Sequence, residues 1–323
     1  MKRPDLHLLG PLIALIGLVI LGALLNPAFL APANLSNVLA RSAFIGVIAV
    51  GMTFVITQGG LDLSVGSMAA FLAGVTILAM NWLAPITGVN WVTVMLGMGI
   101  ALSCGVMAGL VNGLLITRGR IEAFIVTLGT MGIFRSLVTW LADGGTISLD
   151  SGLRALYRPV YYGGFGWITW PIIFFAVVAV AGEFVMRHTR FGRHVEAIGS
   201  NDRVARYSAV DVERVRLATY ILLGALVGVA TILYVPRLGS ASGSTGTLWE
   251  LEAIAAVIIG GTSLKGGTGR VWGTVVGVLI LSLIGNILNL ADLVSPYLNG
   301  AIQGVIIVLA VVLQRDKRTA EER

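Results

Sequence analysis

The sequence predicts an all-α, polytopic membrane protein with about ten transmembrane helices, and three observations predict it. Of the 323 residues, 56% are hydrophobic and only 12% are charged, whereas an average soluble domain carries roughly 25% charged residues. The apolar residues form long continuous runs, and about 20 such residues are needed for a helix to cross the bilayer. The runs do not alternate between apolar and polar residues, as the strands of a membrane β-barrel would.

The apolar runs mark ten candidate spans, which together form a single transmembrane domain over residues 1–323. The second and the eighth are short for a full crossing. The first has the basic start of a signal peptide, but its apolar part exceeds the roughly 15 residues of a signal core, which favours a retained span over a cleaved one. The spans fall near residues 7–26, 42–57, 65–82, 92–116, 122–141, 168–186, 216–235, 250–261, 271–290 and 297–314.

The distribution of basic residues predicts the orientation of these spans. With the amino terminus inside, 17 of the 22 Lys and Arg residues face the cytoplasm, four lie outside, and Arg135 lies within a span. Cytoplasmic loops of membrane proteins collect Lys and Arg, so the N- and C-termini are both predicted to be cytoplasmic. The same rule accounts for the formal charge of +6, which therefore indicates no nucleic-acid partner.

The sequence carries no recognisable constellation for catalysis or for holding a cofactor. It lacks the phosphate-binding G-x-x-x-x-G-K-[ST], the H-E-x-x-H of zinc enzymes and the G-x-S-x-G of serine hydrolases. His7, His188 and His194 do not form a metal set, and Cys104 lies inside an apolar run. We therefore predict that the chain is not an enzyme and binds no cofactor or metal itself.

Acidic residues inside a membrane usually mark the route of an ion or a substrate. We expect Asp62, Glu122 and Glu183 near the cytoplasmic helix ends, where water can reach them, and we expect no acid at mid-depth. This weakens the interpretation as an ion-coupled carrier. The remaining acids of the spans and outer loops are expected near the opposite face: Asp143, Asp150, Glu250, Glu252 and Asp292.

Glycines recur at a spacing of four residues in three apolar runs. In "SCGVMAGLVNGLL" they form a smooth stripe that lets another helix backbone approach closely. The stripes are consistent with internal helix packing and with a subunit interface, and the sequence leaves both open. The glycines are Gly105, Gly109 and Gly113, then Gly224 and Gly228, then Gly273 and Gly277.

Two short spans end in similar glycine-rich polar turns, "VITQGGLDLSVG" and "VIIGGTSLKGGTG". Each has a GG pair followed by another glycine six residues after its second member. Paired glycine-interrupted segments in two halves of a transporter point to its pathway or gate, although two such turns can also be alike by chance, and Asp62 and Ser64 suit a helix cap. The gate candidates are Gln58, Gly59, Gly60, Asp62 and Ser64 in the first turn and Gly260, Gly261 and Thr262 in the second.

Residues 187–216 form a polar stretch in an otherwise apolar chain, "RHTRFGRHVEAIGSNDRVARYSAVDVERVR", with seven arginines and four acids. The pattern predicts a short amphipathic helix, a break at "GSND" and a second short helix, with Ser200, Asn201 or Asp202 as its cap. Taken alone, the segment fits a solvated basic loop near anionic lipid as well as a docking element for a cytoplasmic partner.

Three stretches give the chain a resemblance to a known family. They are "GMTFVITQGGLDLSVGSMAAF", "TRFGRHVEAIGSNDRVARYSAVDVERVR" and "ELEAIAAVIIGGTSLKGGTGRVWGTVVG", and the similarity covers most of residues 43–314. In this order they resemble the permease subunits of ribose-type, monosaccharide-importing ABC transporters, within the branched-chain amino acid/ribose permease superfamily. The resemblance implies a location in the bacterial inner membrane.

The resemblance also implies partners and a coupling site. The partners are paired cytoplasmic ABC ATPase subunits that use ATP and Mg, a periplasmic sugar-binding protein, and a second permease, either another copy or a paralogue. The arginine-rich loop would present a coupling helix to the ATPase. Ala209 stands where family members commonly have glycine, which puts a left-handed turn there in doubt. The matching coupling positions are Phe191, Gly192, Glu196, Ala197, Gly199 and Asn201.

The function that the resemblance implies is the import of a monosaccharide by alternating access, with energy supplied by the ATPase. The alternative is a secondary, ion-coupled carrier or a channel for a small solute. An uncharged sugar needs only a polar path of hydroxyls and amides, and each such residue can equally be a helix–helix hydrogen bond. The possible lining residues are Thr53, Thr57, Gln58, Asn112, Thr127, Asn286 and Asn289.

Overall fold

The computed structural model describes residues 6–291, together with residue 298, residues 301–302 and residues 304–305. The helices are α1 (Leu6–Leu25), α2 (Pro32–Thr57), α3 (Val65–Thr87), α4 (Trp91–Thr117), α5 (Ala123–Leu141), α6 (Ser151–Tyr157), α7 (Pro159–Tyr162), α8 (Trp170–His188), α9 (Arg190–Ser200), α10 (Asp202–Tyr207), α11 (Val212–Leu238), α12 (Trp249–Ile259) and α13 (Val271–Leu290). The strands are β1 (Thr146–Ser148), β2 (Gly164–Phe165), β3 (Ile168–Thr169) and β4 (Ser240–Ser242).

Within the described residues, seven helices are long and apolar enough to cross a membrane, namely α2, α3, α4, α5, α8, α11 and α13. Helix α1 adds a shorter apolar stretch, Gly10–Leu25. The chain is thus an all-α, polytopic membrane protein, as predicted. The tenth predicted span, 297–314, lies largely outside the described residues.

The second span is longer than predicted, so the expectation of a short helix there was wrong. Helix α2 has 26 residues and begins at Pro32. Its first turns contain the polar residues Asn34, Asn37 and Arg41, which an apolar window excludes. Asn34 and Asn286 of α13 exchange two amide hydrogen bonds, at 2.8 and 3.0 Å. Because a polar side chain in the first turn finds a partner inside the bundle, the helix can begin earlier than its apolar run.

The eighth span is short, as predicted. Helix α12 has 11 residues, about 16 Å at 1.5 Å per residue, which is roughly half of the hydrocarbon thickness of a bilayer. The chain reaches α12 through β4 and the irregular segment 243–248. Arg135 of α5 donates hydrogen bonds to the carbonyls of Gly243 and Thr245 in that segment. Irregular backbone at membrane depth needs such partners inside the protein.

Glu250, which the sequence placed near the outer face, packs against the start of α3 in the structure. A side chain added at Gly66, the second residue of α3, would collide with Oε2 of Glu250 and with the carbonyl of Gly246. Glu250 therefore lies against the start of α3, and the guanidinium of Arg135 acts on it as an opposite charge. The start of α12 is thus packed against the start of α3, with Arg135 of α5 near the Glu250 carboxyl group.

Helix α2 forms the centre of the bundle. Every residue from Gly46 to Thr57 is buried, and the helix packs against α8, α11, α12 and α13. A helix that is apolar on all sides has to be covered on all sides. Three side-chain hydroxyls on this helix are also buried, and one of them, Thr53, bonds to Thr274 of α13 at 2.7 Å.

The glycine stripes are seams inside the bundle. Added side chains at Gly105 and Gly109 of α4 would collide with the backbone of α11 at Gly224 and Tyr220. Gly277 of α13 meets the backbone of α12 in the same way. Of the two interpretations that the sequence left open, internal packing applies to these stripes, because the surface they offer is already occupied.

Candidate functional site: the arginine-rich end of the bundle

The segment 187–216 folds as predicted into two short helices with a break. Three side chains cap the helices in turn. Thr189 accepts a hydrogen bond from Gly192 N at 3.2 Å at the start of α9, Asn201 accepts one from Val204 N at 3.1 Å at the start of α10, and Asp211 caps α11. Each cap satisfies a backbone N–H that lacks an intrahelical partner, so the polar residues of the stretch define the helix boundaries.

Ala209 adopts the left-handed conformation, with φ of 59°, so the doubt about a left-handed turn at this position was unfounded. The N–H of Val210 donates to the carbonyl of Ala205 at 3.1 Å, and the N–H of Ala209 donates to Arg206 at the same distance. These bonds close the end of α10. They offset the roughly 1–2 kcal/mol that a left-handed alanine costs.

The predicted coupling residues of α9 face mainly into the protein. Gly192 lies against the backbone of Met186, and the ring of Phe191 stacks on Phe54 of α2 with centroids 6.0 Å apart. Ala197 packs on the core at the same side. Helix α9 is therefore anchored to the end of α2 by the residues that the resemblance assigned to coupling.

The strongest convergence of the predicted residues is at Gly199. A side chain there would collide with the carbonyl of Thr57, at the end of α2, and with the backbone of Gly267 in the second glycine-rich turn. The N–H of Gly267 donates to that same Thr57 carbonyl at 2.8 Å. Gly59 of the first turn also approaches, since a side chain at Gly266 would come within 3.0 Å of its backbone nitrogen. The two turns and α9 therefore meet at one point.

Glu183 connects α8 to the start of α13. Its Oε2 accepts hydrogen bonds from Val271 N and Trp272 N, at 3.1 and 3.3 Å, and its Oε1 accepts one from Arg187 at 2.8 Å. A carboxylate at a helix N-terminus is favoured by the exposed N–H groups and by the helix dipole. Glu183 thus caps α13, a role that the expectation of a solvated acid did not include.

Glu196 lies on α9 beside two arginines. Burial raises the pKa of its carboxyl above the ordinary value, and the positive charges of Arg187 and Arg270 oppose that rise. The Glu196 carboxyl is only half-buried, so the rise in its pKa reflects the residues packed around it at the start of α13 and the end of α8.

Asp62 is only 1% exposed, so the expectation that water reaches it was wrong, whereas Glu122 is exposed as expected. The carboxylate of Asp62 accepts hydrogen bonds from the N–H and the hydroxyl of Ser64, at 2.8 and 2.6 Å. Asn112 of α4 donates to both residues, at 3.3 and 3.0 Å. These three predicted gate residues form one buried polar cluster that ties the turn after α2 to α4.

The other predicted gate residues also make bonds within the protein. Gln58 accepts a hydrogen bond from Thr219 of α11 at 3.1 Å, and Gly60 lies against the hydroxyl of Tyr220. In the second turn Thr262 accepts from Arg270 N at 3.3 Å. The backbone of Gly260 packs on α13, and Gly261 takes a positive φ of 90°.

The candidate lining residues fall into two groups, those that bond within their own helix and those that bond to a neighbouring helix. Thr57 and Thr127 bond to carbonyls of their own helices, whereas Thr53 and Asn286 bond across to neighbouring helices. Asn289 also has a bonding or charge partner. For Thr53 and Asn286 the structure shows the helix–helix hydrogen bond that the sequence left open as the alternative to lining, and Asn112 bonds instead to the turn before α3.

A cavity of about 650 Å³ lies beside this cluster. It opens between the first glycine-rich turn, the turn from α4 to α5, and the start of α11. Its charged walls are formed by Arg120, Arg206, Arg216, Glu122 and Glu213, and Gln58, Gly59 and Gly60 line its inner side. Three of the predicted gate residues therefore border open space as well as the protein interior.

The outward face of the segment is carried by α10, which the sequence analysis had not singled out. Tyr207 is 90% exposed and Val204 is 56% exposed, and Arg203 is exposed beside them. Asp202 pairs with Arg206 within α10 and with Arg216 of α11, each at 3.1 Å, and the second pair holds α10 to α11. The exposed tyrosine and valine on this polar helix are the feature of the amphipathic pattern from which its outward face could have been predicted.

Comparison with known proteins agrees with this architecture. The family model described as "Branched-chain amino acid transport system / permease component" matches residues 34–311. The ribose import permease protein RbsC of Bacillus subtilis is 42% identical over 312 residues, covering 96% of this chain and 93% of the relative. RbsC of Escherichia coli is 36% identical, covering 95% of this chain and 93% of the relative. The xylose transport system permease protein XylH of Escherichia coli is 31% identical, covering 88% of this chain and 85% of the relative.

These matches, together with the apolar helices, show a multi-pass protein of the bacterial inner membrane that is a transport component and not an enzyme. The chain belongs to the family whose model is described as the permease component of branched-chain amino acid transport systems, and within that family it is a ribose-type ABC permease.

Proposed function

We propose that this chain is the permease of an ATP-driven importer that moves a monosaccharide across the inner membrane by alternating access. The observation that carries the proposal is the convergence at Gly199, where α9 touches the turns that follow α2 and α12. A force applied to α9 from outside the bundle is transmitted to both turns. The relatives named above are ribose and xylose permeases, so an aldopentose is the first substrate to test.

The energy and the substrate come from partners in this proposal. A cytoplasmic ATPase uses ATP and Mg, because the chain itself has no phosphate-binding motif. A periplasmic binding protein delivers the sugar, and a second permease, identical or paralogous, completes the path. The chain binds no cofactor of its own. The termini and the arginine-rich end lie in the cytoplasm, and ten spans cross the membrane.

The ATPase docks on the α9–α10 segment, with α10 as its main contact. The residues that the resemblance assigned to coupling, such as Phe191 and Gly199, hold α9 in place from inside. The exposed Tyr207 and Val204 offer the aromatic and apolar surface that dominates protein interfaces. Truncating such a contact typically costs about 2 kcal/mol, which is a roughly 30-fold weaker dissociation constant.

Binding of the purified ATPase to the permease in detergent tests the docking site. Tyr207→Ala and Val204→Ala are expected to weaken binding by about 30-fold without changing the melting temperature, because neither side chain is buried. Phe165→Ala is the matched control, since that ring is 70% exposed on the opposite side of the bundle. Unchanged affinity in both α10 variants would contradict this assignment.

Uptake of labelled ribose into proteoliposomes tests the transport function. The permease should require the ATPase, ATP and the binding protein, whereas a secondary carrier or channel would move sugar without them. Uptake by the permease alone would contradict the proposal. For the orientation, a cysteine at Ser208 should react with a membrane-impermeant thiol reagent only from the cytoplasmic side, and labelling from the periplasm would overturn the topology.

A further inference from the structure

A groove of about 420 Å³ runs along the last turns of α5, away from the arginine-rich end. Within the described bundle it lies on an open side of the helix. It is lined by Arg135, Ser136, Thr139, Trp140, Asp143 and Gly144. We propose that this groove is a contact site for the monosaccharide on its way through the permease, an inference that rests on the proposed import of a sugar.

The residue types of the groove match the chemistry of a sugar ring. A monosaccharide presents hydroxyls around its edge and C–H groups on its faces. The indole of Trp140, which is 74% exposed, offers a flat apolar surface for such a face. The carboxylate of Asp143 accepts hydrogen bonds from hydroxyls, and the guanidinium of Arg135 donates to their oxygens in a planar fork. A shallow groove of this kind binds weakly, so the sugar can leave again.

Arg135 is held in a fixed position for such a contact. Its Nη1 donates to the carbonyls of Gly243, at 2.7 Å, and Thr245. In the part of the chain that the structure describes, no acceptor is recorded for its Nε or Nη2 groups. Because one edge of the guanidinium is anchored to the segment before α12 and the charge of Glu250 also acts on it, its orientation is fixed, and the N–H groups with no recorded acceptor are pre-organised donors. The side chain is half-buried, which strengthens a hydrogen bond to a neutral oxygen.

The groove face of α5 is unlike a face that meets lipid. Ser136 and Thr139 are exposed, and the exposed glycines Gly132 and Gly129 continue the same strip inward with no atoms within 4 Å of an added Cβ. A lipid-facing surface is normally apolar. Ile125 and Ile133, 58% and 55% exposed, also lie on this strip, so it is mixed and less apolar than a typical lipid-facing surface, with its polar residues gathered at the groove.

Helix α3 shows the contrast. Its Trp82 is 70% exposed, close to the value for Trp140, but its neighbours one turn away on either side are Leu78 and Ile86. An exposed tryptophan among apolar neighbours is typical of an anchor at the membrane surface. Trp82 is thus a matched control for an indole of equal exposure in a different setting.

Cysteine protection tests the site directly. Ser136→Cys is introduced in a Cys104→Ala background, with Leu137→Cys as a control on the same turn but outside the groove. In proteoliposomes of the full transporter, the cysteine at 136 should react with a charged thiol reagent, and millimolar ribose delivered with the binding protein should slow the reaction severalfold. The cysteine at 137 should react slowly, with or without sugar.

Uptake provides a second readout. Trp140→Ala should lower ribose uptake at least severalfold, while the ATPase activity stimulated by the loaded binding protein stays within twofold of the wild type. Trp82→Ala should change neither. A structural defect would instead lower both quantities together.

Three outcomes would overturn the site while leaving sugar import intact. The first is an unreactive cysteine at 136, which would place this face in lipid. The second is a reactive cysteine that ribose does not protect and that forms cross-links between permeases, which would make this face a subunit interface. The third is normal uptake by Trp140→Ala. If the unmodified transporter imports no sugar, the proposed function itself fails, which is a separate result.

Discussion

The seam between α4 and α11 predicts opposite effects for two glycine-to-alanine changes on one helix. At Gly109 an added Cβ would lie 3.0 Å from the carbonyl carbon of Tyr220 and 3.1 Å from Cα of Ile221, and closer still to the Tyr220 carbonyl oxygen. All three are backbone atoms, which cannot rotate away, so the two helices have to separate. At Gly99, ten residues earlier, nothing lies within 4 Å.

The magnitudes decide the signs. Alanine in place of glycine stabilises a helix by about 1 kcal/mol, and this is the whole effect at Gly99. At Gly109 the same gain is outweighed by an overpacking cost of about 3 kcal/mol, which leaves a net destabilisation of about 2 kcal/mol. The two variants should therefore differ by about 3 kcal/mol, or roughly 6 °C in melting temperature at about 2 °C per kcal/mol for a chain of this size.

Thermal unfolding of the purified permease in one detergent, followed by tryptophan fluorescence, measures this difference. Gly99→Ala should melt at or slightly above the wild-type temperature, and Gly109→Ala should melt clearly below it. If Gly109→Ala were as stable as Gly99→Ala, the two helices would not be in backbone contact, and the packing described for this seam would be refuted.

Three further predictions concern the arginine-rich end. Gly199→Ala should displace α9 from the backbone of Gly267 and reduce ATPase binding at least tenfold in a pull-down, whereas equal binding would show that α9 can move without consequence. Glu183→Ala should lower the free energy of unfolding by about 1–2 kcal/mol because α13 loses its cap, and Glu183→Gln, which keeps an acceptor oxygen, should lower it less; equal losses would contradict the capping role. The pKa of Glu196 is raised in the folded protein, so its contribution to stability is greatest below the ordinary pKa near 4.5 and declines as the pH rises through the folded value. Glu196→Gln should therefore gain in melting temperature relative to the wild type as the pH is raised from 4 to 7, and a pH-independent difference would count against it.

The fold of the arginine-rich segment was predictable because its signals are local. Asn201 follows the break and caps α10, as its position before "DRVARY" indicates. The left-handed turn at Ala209 was less accessible, since the hydrogen bonds that close it, such as the one from Val210 to Ala205, compensate for the missing glycine. A local residue preference was overridden by two backbone contacts.

The errors arose where a partner distant in sequence determines the structure. The start of α2 depends on Asn286, which is 252 residues away from Asn34. The contact of Glu250 with the start of α3 depends on the path of the segment 243–248, which the apolar neighbours of Glu250 do not reveal. Hydropathy measures how well a residue suits lipid, but it does not register a polar partner on another helix.

The gate candidates illustrate the same limit for the site. The motif pointed to Asp62 and Ser64, and Asn112 was named separately as a possible lining residue, but only the structure shows that the three bond to one another in a buried cluster. Their spacing along the chain contains no information about this contact. The exposed face of α10 could have been predicted from the helical spacing of Val204 and Tyr207, but the many arginines of the segment favoured an interpretation based on charge.

The pairing of β1 with β4 has a consequence for the transport cycle. Thr146 lies opposite Ser242 and Ser148 opposite Ser240, so the chain after α5 is hydrogen-bonded to the chain before α12 as an antiparallel strand pair. Arg135 fastens the same stretch from within. Moving α5 away from α12 at this end of the bundle would therefore break both the strand pairing and the bonds of Arg135, so any rearrangement of the transport cycle that keeps these contacts moves the two helices together.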